Sequence, residues 1–191
     1  MIYRSRDIIF SFVLLLTFAI PMVLITFYLF SIFGNQLFFK DIRVGFRQKK
    51  IAIYKFRTMK INGEKSNPNF TEIGDKRIIF LGHFLRRHRL DELPQLFNVI
   101  TGSLSLVGPR PERPVFSSQF ARQIENYNDR YLVSPGLTGW AQVNLGYVSN
   151  LEETKKKLVL DLYYVKNKSF SLDLQILIKT IVITITGFGG R

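Results

Sequence analysis

The sequence predicts an α+β membrane protein that is mostly helical and has a small β element. Three observations support this fold class. Residues 8–33 contain no charge, residues 51–59 alternate in the manner of a strand, and residues 150–185 show the apolar spacing of helices. We therefore divide the chain into a membrane segment, residues 1–36, and a second domain, residues 37–191.

The charge and composition limit the classes of partner. The chain has 191 residues, a net charge of +13 and 47% hydrophobic residues. A chain that is both basic and apolar indicates nucleic acid, an anionic membrane face or a phosphorylated substrate as its partner. The absence of cysteine excludes disulfides and thiolate metal sites. Its two histidines, His83 and His88, argue against a multi-histidine metal site, and we assign them no catalytic role.

The uncharged stretch at residues 8–33 is long enough to cross a bilayer. As one straight helix it would measure about 39 Å, at about 1.5 Å per residue. Pro21 lies near its middle and is expected to break or kink the helix. Both flanks are basic, whereas spanning helices usually have a positive bias on one side. The residues alone leave two interpretations open: a kinked spanning helix, which they favour, and a re-entrant helix that returns to the same face.

Two adjacent acids lie among cations at residues 86–99, RRHRLDELPQLFNV. Asp91 and Glu92 follow three arginines and a histidine, and Pro94 is suited to the first position of a helix that extends to about residue 100. The acids would then lie at a helix N-terminus, which favours bound anions. The pattern indicates a site where phosphate and a divalent metal meet, or equally a capped surface helix in a basic protein.

Further cations occur where a phosphate site would use them. Lys55 and Arg57 share one face of the strand at residues 51–59, and that face changes from apolar to cationic along its length. Arg110 lies between two prolines, and a cation on a stiff backbone is suited to binding phosphate. The simpler interpretations of the same residues are solvated charges at a strand end and an exposed arginine in a proline-rich turn.

The remaining segments are predicted from their caps and turn residues. Residues 60–76 form a polar loop of the length typical of a lid. Residues 104–107 suggest a short strand. Asn150 is expected to cap one helix and Ser171 to cap the last, which is apolar over most of its circumference. That last helix would pack in the core or lie at the membrane interface, and it leaves room for a homo-oligomer.

Five motifs, in one order, resemble those of a known family, the monotopic phosphoglycosyl transferases. They are KFRTM at residues 55–59, LDELPQLFNV at 90–99, SLVGPRPERPVF at 105–116, PGLTGWAQVN at 135–144, and DLYYVKN with SFSLDL at 161–174. The match extends over nearly the whole chain, and LDELPQ with GPRP at this separation is highly specific. These bacterial enzymes start glycan assembly on a polyprenyl phosphate. The PERPVF and closing TGFGGR sequences resemble the exopolysaccharide branch.

The resemblance implies a monotopic membrane fold. The N-terminal membrane helix would be re-entrant and broken at Ile20 and Pro21, although the family usually has a small hydroxyl residue where this chain has Ile20. Amphipathic helices would lie at the membrane interface. The catalytic domain would lie on the cytoplasmic face of a bacterial inner membrane.

The resemblance also implies a covalent mechanism. Asp91 would attack the β-phosphate of a UDP-sugar and release UMP, and polyprenyl (undecaprenyl) phosphate would then take the sugar phosphate from Asp91. Mg²⁺ is the expected cofactor, with Glu92 as its ligand. The reaction would be the initiating step of surface polysaccharide or glycoconjugate synthesis. Its partners would be the UDP-sugar, the polyprenyl phosphate and membrane lipid.

Other residues acquire roles from the same resemblance. Cations that match basic active-site residues of the family would bind the substrate phosphates: Lys55, Arg86 and Arg110, with Arg57 as a weaker candidate. Gly136 and Thr138 lie in a loop that would help to form a nucleotide pocket. Asp161 matches a recurring acid, whose role could equally be a structural cap.

Two other classes of protein fit parts of the sequence. A membrane-tethered nucleic-acid-binding protein would explain the positive charge and the 14% of aromatic residues. However, the chain has no nucleic-acid motif, and its cations lie beside acids. An inactive scaffold would be indicated by a changed Asp91 or Arg110, and both residues are present. We therefore expect an enzyme and no nucleic-acid partner.

Overall fold

The computed structural model describes residues 2–61, 75–145, 148 and 150–187. Most of the polar loop expected at residues 60–76, and the end of the closing TGFGGR sequence, lie outside the described residues. The described chain combines helices with two small sheets, one antiparallel and one parallel. This arrangement confirms the mixed helical and β class expected from the sequence.

The described residues form helices, short strands and three-ten turns. The helices are α1 (Ile2–Thr17), α2 (Ala19–Phe33), α3 (Phe80–Arg87), α4 (Gln95–Thr101), α5 (Pro114–Gln123), α6 (Trp140–Asn144), α7 (Leu151–Asn167) and α8 (Phe170–Thr186). The strands are β1 (Phe38–Val44), β2 (Lys50–Phe56), β3 (Ser105–Val107) and β4 (Gly136–Thr138). Three-ten turns lie at Gly34–Gln36, Phe46–Gln48, Leu90–Glu92 and Tyr127–Leu132.

The N-terminal apolar segment is interrupted at Phe18, between α1 and α2. The sequence placed the break at Ile20 and Pro21, and that position was wrong, because both residues lie in the first turn of α2. Pro21 is nevertheless the physical cause of the break. Proline has no N–H to donate to the carbonyl four residues earlier, that of Thr17, and its ring collides with that carbonyl. The regular helix therefore ends at Thr17.

Both ends of this helix pair are attached to the rest of the protein. Near the start of α1, Arg4 donates hydrogen bonds to the carbonyls of Val99 and Ile100, at the end of α4. Arg6 pairs with Asp173 of α8 at 2.5 Å. The second half of α2 packs into an apolar cluster with the hairpin and α3, formed by Ile25, Leu29, Leu37, Phe56, Ile79 and Leu85.

The middle of the helix pair is apolar and exposed. Large side chains there are 52–74% exposed: Leu16, Ile20, Val23, Leu24 and Phe27. Within the described residues, Ala19–Gln36 is long and apolar enough to cross a membrane, and only 17% of that window is buried inside the protein. An apolar surface of this extent needs a partner other than water.

An antiparallel hairpin of β1 and β2 carries Lys55. Strand β2 confirms the strand expected at residues 51–59, although it ends three residues earlier, at Phe56. Strand β1 was not predicted. Its buried residues are Asp41 and Val44, and one of them is an acid, so the apolar alternation that predicts a strand is missing. Pairing with β2, rather than its own pattern, makes this segment a strand.

The parallel pair of β3 and β4 requires two glycines. Strand β3 confirms the short strand expected near residues 104–107. A Cβ added at Gly136 would lie 2.1 Å from the backbone nitrogen of Gly108, and one added at Gly108 would lie 2.3 Å from the carbonyl oxygen of Ser134. This close approach lets the N–H of Gly136 bond the carbonyl of Pro109 at 3.0 Å. The loop that carries Arg110 is thereby fixed to β4.

The largest apolar core lies where β2, α4, β3, α7 and α8 meet. Its buried residues are Ile53, Leu96, Val99, Leu104, Leu106, Val107, Tyr164, Leu172 and Ile176. Leu14 and Leu15 of α1 pack against the same core. The N-terminal helix pair is therefore part of the folded unit rather than a separate appendage.

The last two helices begin at side-chain caps. Asn150 accepts a hydrogen bond from the N–H of Glu153 at 2.8 Å, which confirms the predicted cap of α7. The cap of α8 is Ser169, which accepts from the N–H of Leu172 at 3.3 Å, and the prediction of Ser171 was wrong. Helix α8 begins two residues earlier because Ser169 has the extended backbone that a cap needs.

The Gly136 contact leads to a stability prediction. Gly136→Ala should lower the unfolding temperature strongly, because its Cβ meets backbone atoms that cannot move aside, with a cost of about 3 kcal/mol or more. Gly45→Ala is the matched control, since the three atoms nearest its Cβ all belong to the side chain of Ile51 and none belongs to the backbone. Thermal unfolding of both variants in detergent measures the difference. Equal unfolding temperatures for the two variants would contradict the packing of β3 against β4.

Candidate active site

The acidic pair lies in a three-ten turn directly before α4. Asp91 and Glu92 are the last two residues of the turn Leu90–Glu92, and both are buried. Arg89 begins the turn in the left-handed conformation, with φ of 56°. Pro94 has a helical backbone and precedes α4, which confirms the predicted helix start within one residue.

Glu92 is held by two cations from separate segments. Its Oε1 accepts hydrogen bonds from Lys55 Nζ and from Arg110 Nη2, each at 2.5 Å. Its Oε2 accepts from Arg110 Nη1 at 3.3 Å. The carboxylate therefore joins β2, the acidic turn and the loop after β3 at one point.

Asp91 is surrounded by the same charges but is not tied to them. Within the described residues its carboxylate makes no hydrogen bond and no ion pair, although it is only 8% exposed. Burial, together with the neighbouring charge of Glu92, raises the pKa of Asp91 to about 6 against the opposing charge of Lys55. At neutral pH the group is still mostly ionised. It is an anionic oxygen without a partner inside a cationic site.

The pKa shifts of Glu92, Lys55 and Arg110 agree with a paired Glu92 and an unpaired Asp91. Burial alone would raise the pKa of Glu92, but Arg110 and Lys55 hold it well below its usual range. Burial lowers the pKa of Lys55, although the charge of Glu92 opposes the shift. The charge of Glu92 raises the pKa of Arg110. Glu92 is thus a fixed anion that holds two cations next to Asp91.

Asn98 sets the distance between Lys55 and the acids. Its Oδ1 accepts the N–H of Tyr54 at 3.1 Å, and its Nδ2 donates to the carbonyl of Ala52 at 2.8 Å. Both partners belong to β2, so the amide of one α4 residue occupies the free edge of the strand. This contact fixes α4, and the acidic turn before it, against the strand that carries Lys55.

The backbone of the Arg110 loop is held at three successive carbonyls. The carbonyl of Arg110 accepts from Arg130 at 2.9 Å, that of Pro111 from Arg43 at 3.0 Å, and that of Glu112 from the N–H of Val44 at 2.8 Å. The flanking prolines limit the loop further. Arg110 is therefore presented to Glu92 from a fixed backbone.

Asp161 acts on this loop through Arg130. The two residues form an ion pair of 2.7 Å in which both side chains are almost completely buried. Burial would lower the pKa of Arg130, but the charge of Asp161, together with Tyr127 and Glu112, raises it above its usual range, so the guanidinium stays charged. Asp161 lies inside α7, so the alternative that it caps a helix was wrong. Its observed role is to hold the arginine that binds the carbonyl of Arg110.

The remaining candidate residues lie in different places. Arg86 is in the last turn of α3, and its charge acts on Asp91. Arg57 donates to the carbonyl of Gln36 at 2.5 Å, at the end of the membrane segment. Thr138 is buried, and its hydroxyl bonds that of Thr180 in α8 at 2.7 Å. Together with Gly136, it is packed in β4, and the nucleotide-pocket role of both stays a prediction.

Several residues of this site were not found from the sequence. Asn98, Arg130, Arg43 and Glu112 act through contacts with segments that are distant along the chain. Burial of Glu112 would raise its pKa, but Lys157 and Arg130 lower it to about 2. Of these four residues, only Glu112 could have been suspected from the sequence, because it lies close to Arg110 in the rigid proline-rich loop.

The acidic pair supplies the kind of donor atoms that a magnesium ion would need if substrate phosphates completed its coordination. Within the described residues, no group of three or more metal-ligating side chains is present. Mg²⁺ is commonly held by one or two carboxylates together with substrate phosphates and water. Asp91 and Glu92 supply carboxylate oxygens of that kind. A metal ion bound to Glu92 would share the carboxylate with Lys55 and Arg110, which already bind it.

The fold and the site together define a class of protein: an exposed apolar helix pair is packed against a domain whose buried carboxylates are surrounded by cations. The chain belongs to the bacterial sugar transferase family, whose model matches residues 1–187. This membership confirms the resemblance seen in the motifs.

Curated relatives share most of this chain. One is the UDP-N-acetylgalactosamine-undecaprenyl-phosphate N-acetylgalactosaminephosphotransferase of Aeromonas hydrophila, 42% identical over 100% of this chain and 45% of its own length. Another is the UDP-glucose:undecaprenyl-phosphate glucose-1-phosphate transferase of Escherichia coli (strain K12), 36% identical over 93% of this chain and 39% of its own. The chain thus spans less than half the length of these two relatives. It is also 41% identical to an uncharacterized sugar transferase, EpsL, of Bacillus subtilis (strain 168), over 78% of this chain and 69% of that protein.

The buried ion pair leads to a prediction about Asp161. Asp161→Asn should destabilise the protein by about 3 kcal/mol, because the buried Arg130 would lose its 2.7 Å partner and keep only the longer 3.7 Å pair with Glu112. The same substitution should also slow the enzymatic reaction, since Arg130 would no longer be held in place to bind the carbonyl of Arg110. Glu152→Gln removes an exposed ion pair with Lys155 on the same helix, and it should change neither the stability nor the reaction rate. Thermal unfolding and initial rates measure both effects, and an unchanged Asp161→Asn protein would contradict the anchor role.

Proposed function

We propose that this chain transfers a sugar 1-phosphate from a UDP-sugar to undecaprenyl phosphate and releases UMP. The observation that carries the proposal is the division of the acidic pair: Asp91 is ionised and unpaired within the described residues, while Glu92 holds Lys55 and Arg110 beside it. The names of the Aeromonas and Escherichia relatives, which act on undecaprenyl phosphate, support the same reaction.

In the first half-reaction, Asp91 acts as the nucleophile. A carboxylate oxygen of Asp91 forms a bond to the β-phosphorus of the UDP-sugar. The bond from that phosphorus to the bridging oxygen breaks, and UMP leaves with the bridging oxygen and its electron pair. Asp91 is left as an acyl phosphate that carries the sugar. Lys55, Arg110 and Arg86 offset the charge of the phosphates, because two anions must otherwise approach each other.

In the second half-reaction, a phosphate oxygen of undecaprenyl phosphate attacks the phosphorus on Asp91. The bond between that phosphorus and the Asp91 oxygen breaks, and the free carboxylate is restored. The product is undecaprenyl diphosphate-sugar. No proton has to be transferred in either step, since attacking and leaving oxygens are both anionic, and this agrees with a site that has cations but no histidine base among its described contacts.

Mg²⁺ is part of the proposal as a cofactor. Glu92, with Asp91 nearby, would hold the ion together with substrate phosphate oxygens. When bound, the ion supplies positive charge that lowers the repulsion between the carboxylate and the diphosphate. Lys55 and Arg110 keep the carboxylate of Glu92 ionised and hold it in place.

The membrane segment supports a monotopic arrangement. We propose that α1 and α2 form a re-entrant helix pair whose exposed middle enters the cytoplasmic leaflet of the bacterial inner membrane. Support comes from the attachment of both ends to the same domain, through Arg4 and Arg6 at one end and Ile25 and Leu29 at the other. A spanning helix would carry one of these ends to the opposite face.

The nucleophile assignment predicts the behaviour of Asp91→Asn. The variant should lose UMP release by about a thousandfold or more, because an amide oxygen cannot form the acyl phosphate. The assay incubates protein in nanodiscs with UDP-glucose or UDP-N-acetylgalactosamine, undecaprenyl phosphate and Mg²⁺. Asp129→Asn, which changes an exposed acid, is the control. Retained turnover in Asp91→Asn would refute the mechanism. An unchanged rate of UMP release after Mg²⁺ is removed with a chelator would refute the magnesium role.

The topology can be tested because the chain has no native cysteine. Single cysteines at the exposed positions Ser5, near the start of α1, and Asn35, just after α2, mark the two ends of the helix pair. In intact cells, an impermeant thiol reagent should reach neither position, whereas in inverted vesicles it should reach both. Labelling of one position from each side would contradict the re-entrant arrangement and would support a spanning helix.

A further inference from the structure

Arg89 is a cation of the active site with no anionic partner in the part of the chain that the structure describes. It lies two residues before Asp91, and its guanidinium makes no hydrogen bond or ion pair with any described residue. The charges that act on it are those of Glu92, Arg110 and Asp91, in that order, and burial lowers its pKa. Its side chain therefore lies near the acidic pair without being bound to either carboxylate.

The neighbouring cations are already engaged. Lys55 and Arg110 both bind Glu92 at 2.5 Å. Arg43, a cation of β1, binds Asp41 at 2.5 Å and the carbonyl of Pro111 in the Arg110 loop. These side chains hold the site together before any substrate arrives. Arg89 has no such structural task within the described residues, so its charge is available to an incoming anion.

The backbone conformation of Arg89 gives no structural reason for an arginine at this position. Its φ of 56° and ψ of 20° lie in the left-handed region, which favours glycine or asparagine over other residues. The turn needs this conformation, because the N–H of Arg89 bonds the carbonyl of Arg86 at 3.2 Å and its carbonyl accepts the N–H of Glu92 at 3.1 Å. A long charged side chain is not needed to make that turn.

The position of Arg89 suggests from which side its anion comes. The preceding residue, His88, is joined to α8 through a 2.9 Å hydrogen bond between its Nδ1 and the carbonyl of Thr184. The surfaces of α3 and α8 at this end are apolar and exposed, with Phe84, whose ring lies 4.7 Å from that of His88, at 52% and Ile185 at 73%. Arg89 directly follows the residue that contacts α8 at this surface and precedes Asp91 by two residues.

We propose that Arg89 binds the phosphate of the lipid acceptor and guides it to the phosphorus on Asp91. This inference rests on the proposed function. An arginine can bind two phosphate oxygens at once and stays charged at any working pH. A phosphate that arrives on a lipid tail from the apolar surface meets Arg89 before the acidic pair, while the nucleotide donor is met by Lys55, Arg86 and Arg110.

The test separates the two half-reactions. Arg89→Gln in nanodiscs should raise the KM for undecaprenyl phosphate about tenfold or more, because a charge-assisted hydrogen bond is lost. The KM for the UDP-sugar, and the UMP released in a single turnover without acceptor, should be unchanged. Arg89→Lys should recover part of the acceptor affinity, since it keeps the charge. Arg87→Gln, an exposed cation two residues earlier, is the control and should behave as the unchanged protein.

The outcomes distinguish this inference from the proposed function. If the unchanged protein releases no UMP from any UDP-sugar, the proposed function fails. If it is active and Arg89→Gln keeps its acceptor KM, or raises only the donor KM, the acceptor role of Arg89 is overturned. Arg89→Asn keeps the left-handed backbone favourable, so the same rise in acceptor KM in this variant attributes the effect to the lost guanidinium rather than to a changed turn.

Discussion

The carboxylate of Glu92 is the interaction on which the rest of the site depends. It binds Lys55 from β2 and Arg110 from the loop after β3, and each of these cations is largely removed from water. Removing charges from water is costly unless they are paired with good geometry. The three segments therefore have to meet at this one anion. Asp91, the adjacent residue, then lies among cations that it does not have to neutralise alone.

A second layer of buried charges keeps this meeting point in place. Arg130, paired with Asp161 of α7, binds the carbonyl of Arg110, while Arg43 and the backbone of β1 bind the two carbonyls that follow. The loop can therefore bear a charged side chain without itself moving. Under the proposed function such fixed cations favour the transition state, because little reorganisation remains when the phosphates of the substrate arrive.

Helix α4 connects the site to the membrane segment. Asp91 and Glu92 lie just before its first residue, and Arg4 of α1 binds the carbonyls of Val99 and Ile100 near its other end. Seven helical residues span only about 10 Å at about 1.5 Å per residue. The anchoring of α1 and the acidic pair are thus at opposite ends of one short rigid element, which suits a reaction between a nucleotide and a lipid-borne phosphate.

The sequence by itself determined the local features: the apolar segment, the helix start at Pro94, the strand that carries Lys55, the cap at Asn150, and the motif residues of the family. These follow from periodicity and from residues whose backbone preferences act within a few positions. Only the tertiary structure decided that β1 is a strand, that Asp161 holds Arg130, and that Asn98 fixes α4 to β2. The physical reason is that pairing, burial and ion-pair formation join residues far apart in the chain. A sequence pattern shows which side chains carry charge, whereas packing decides which charges meet.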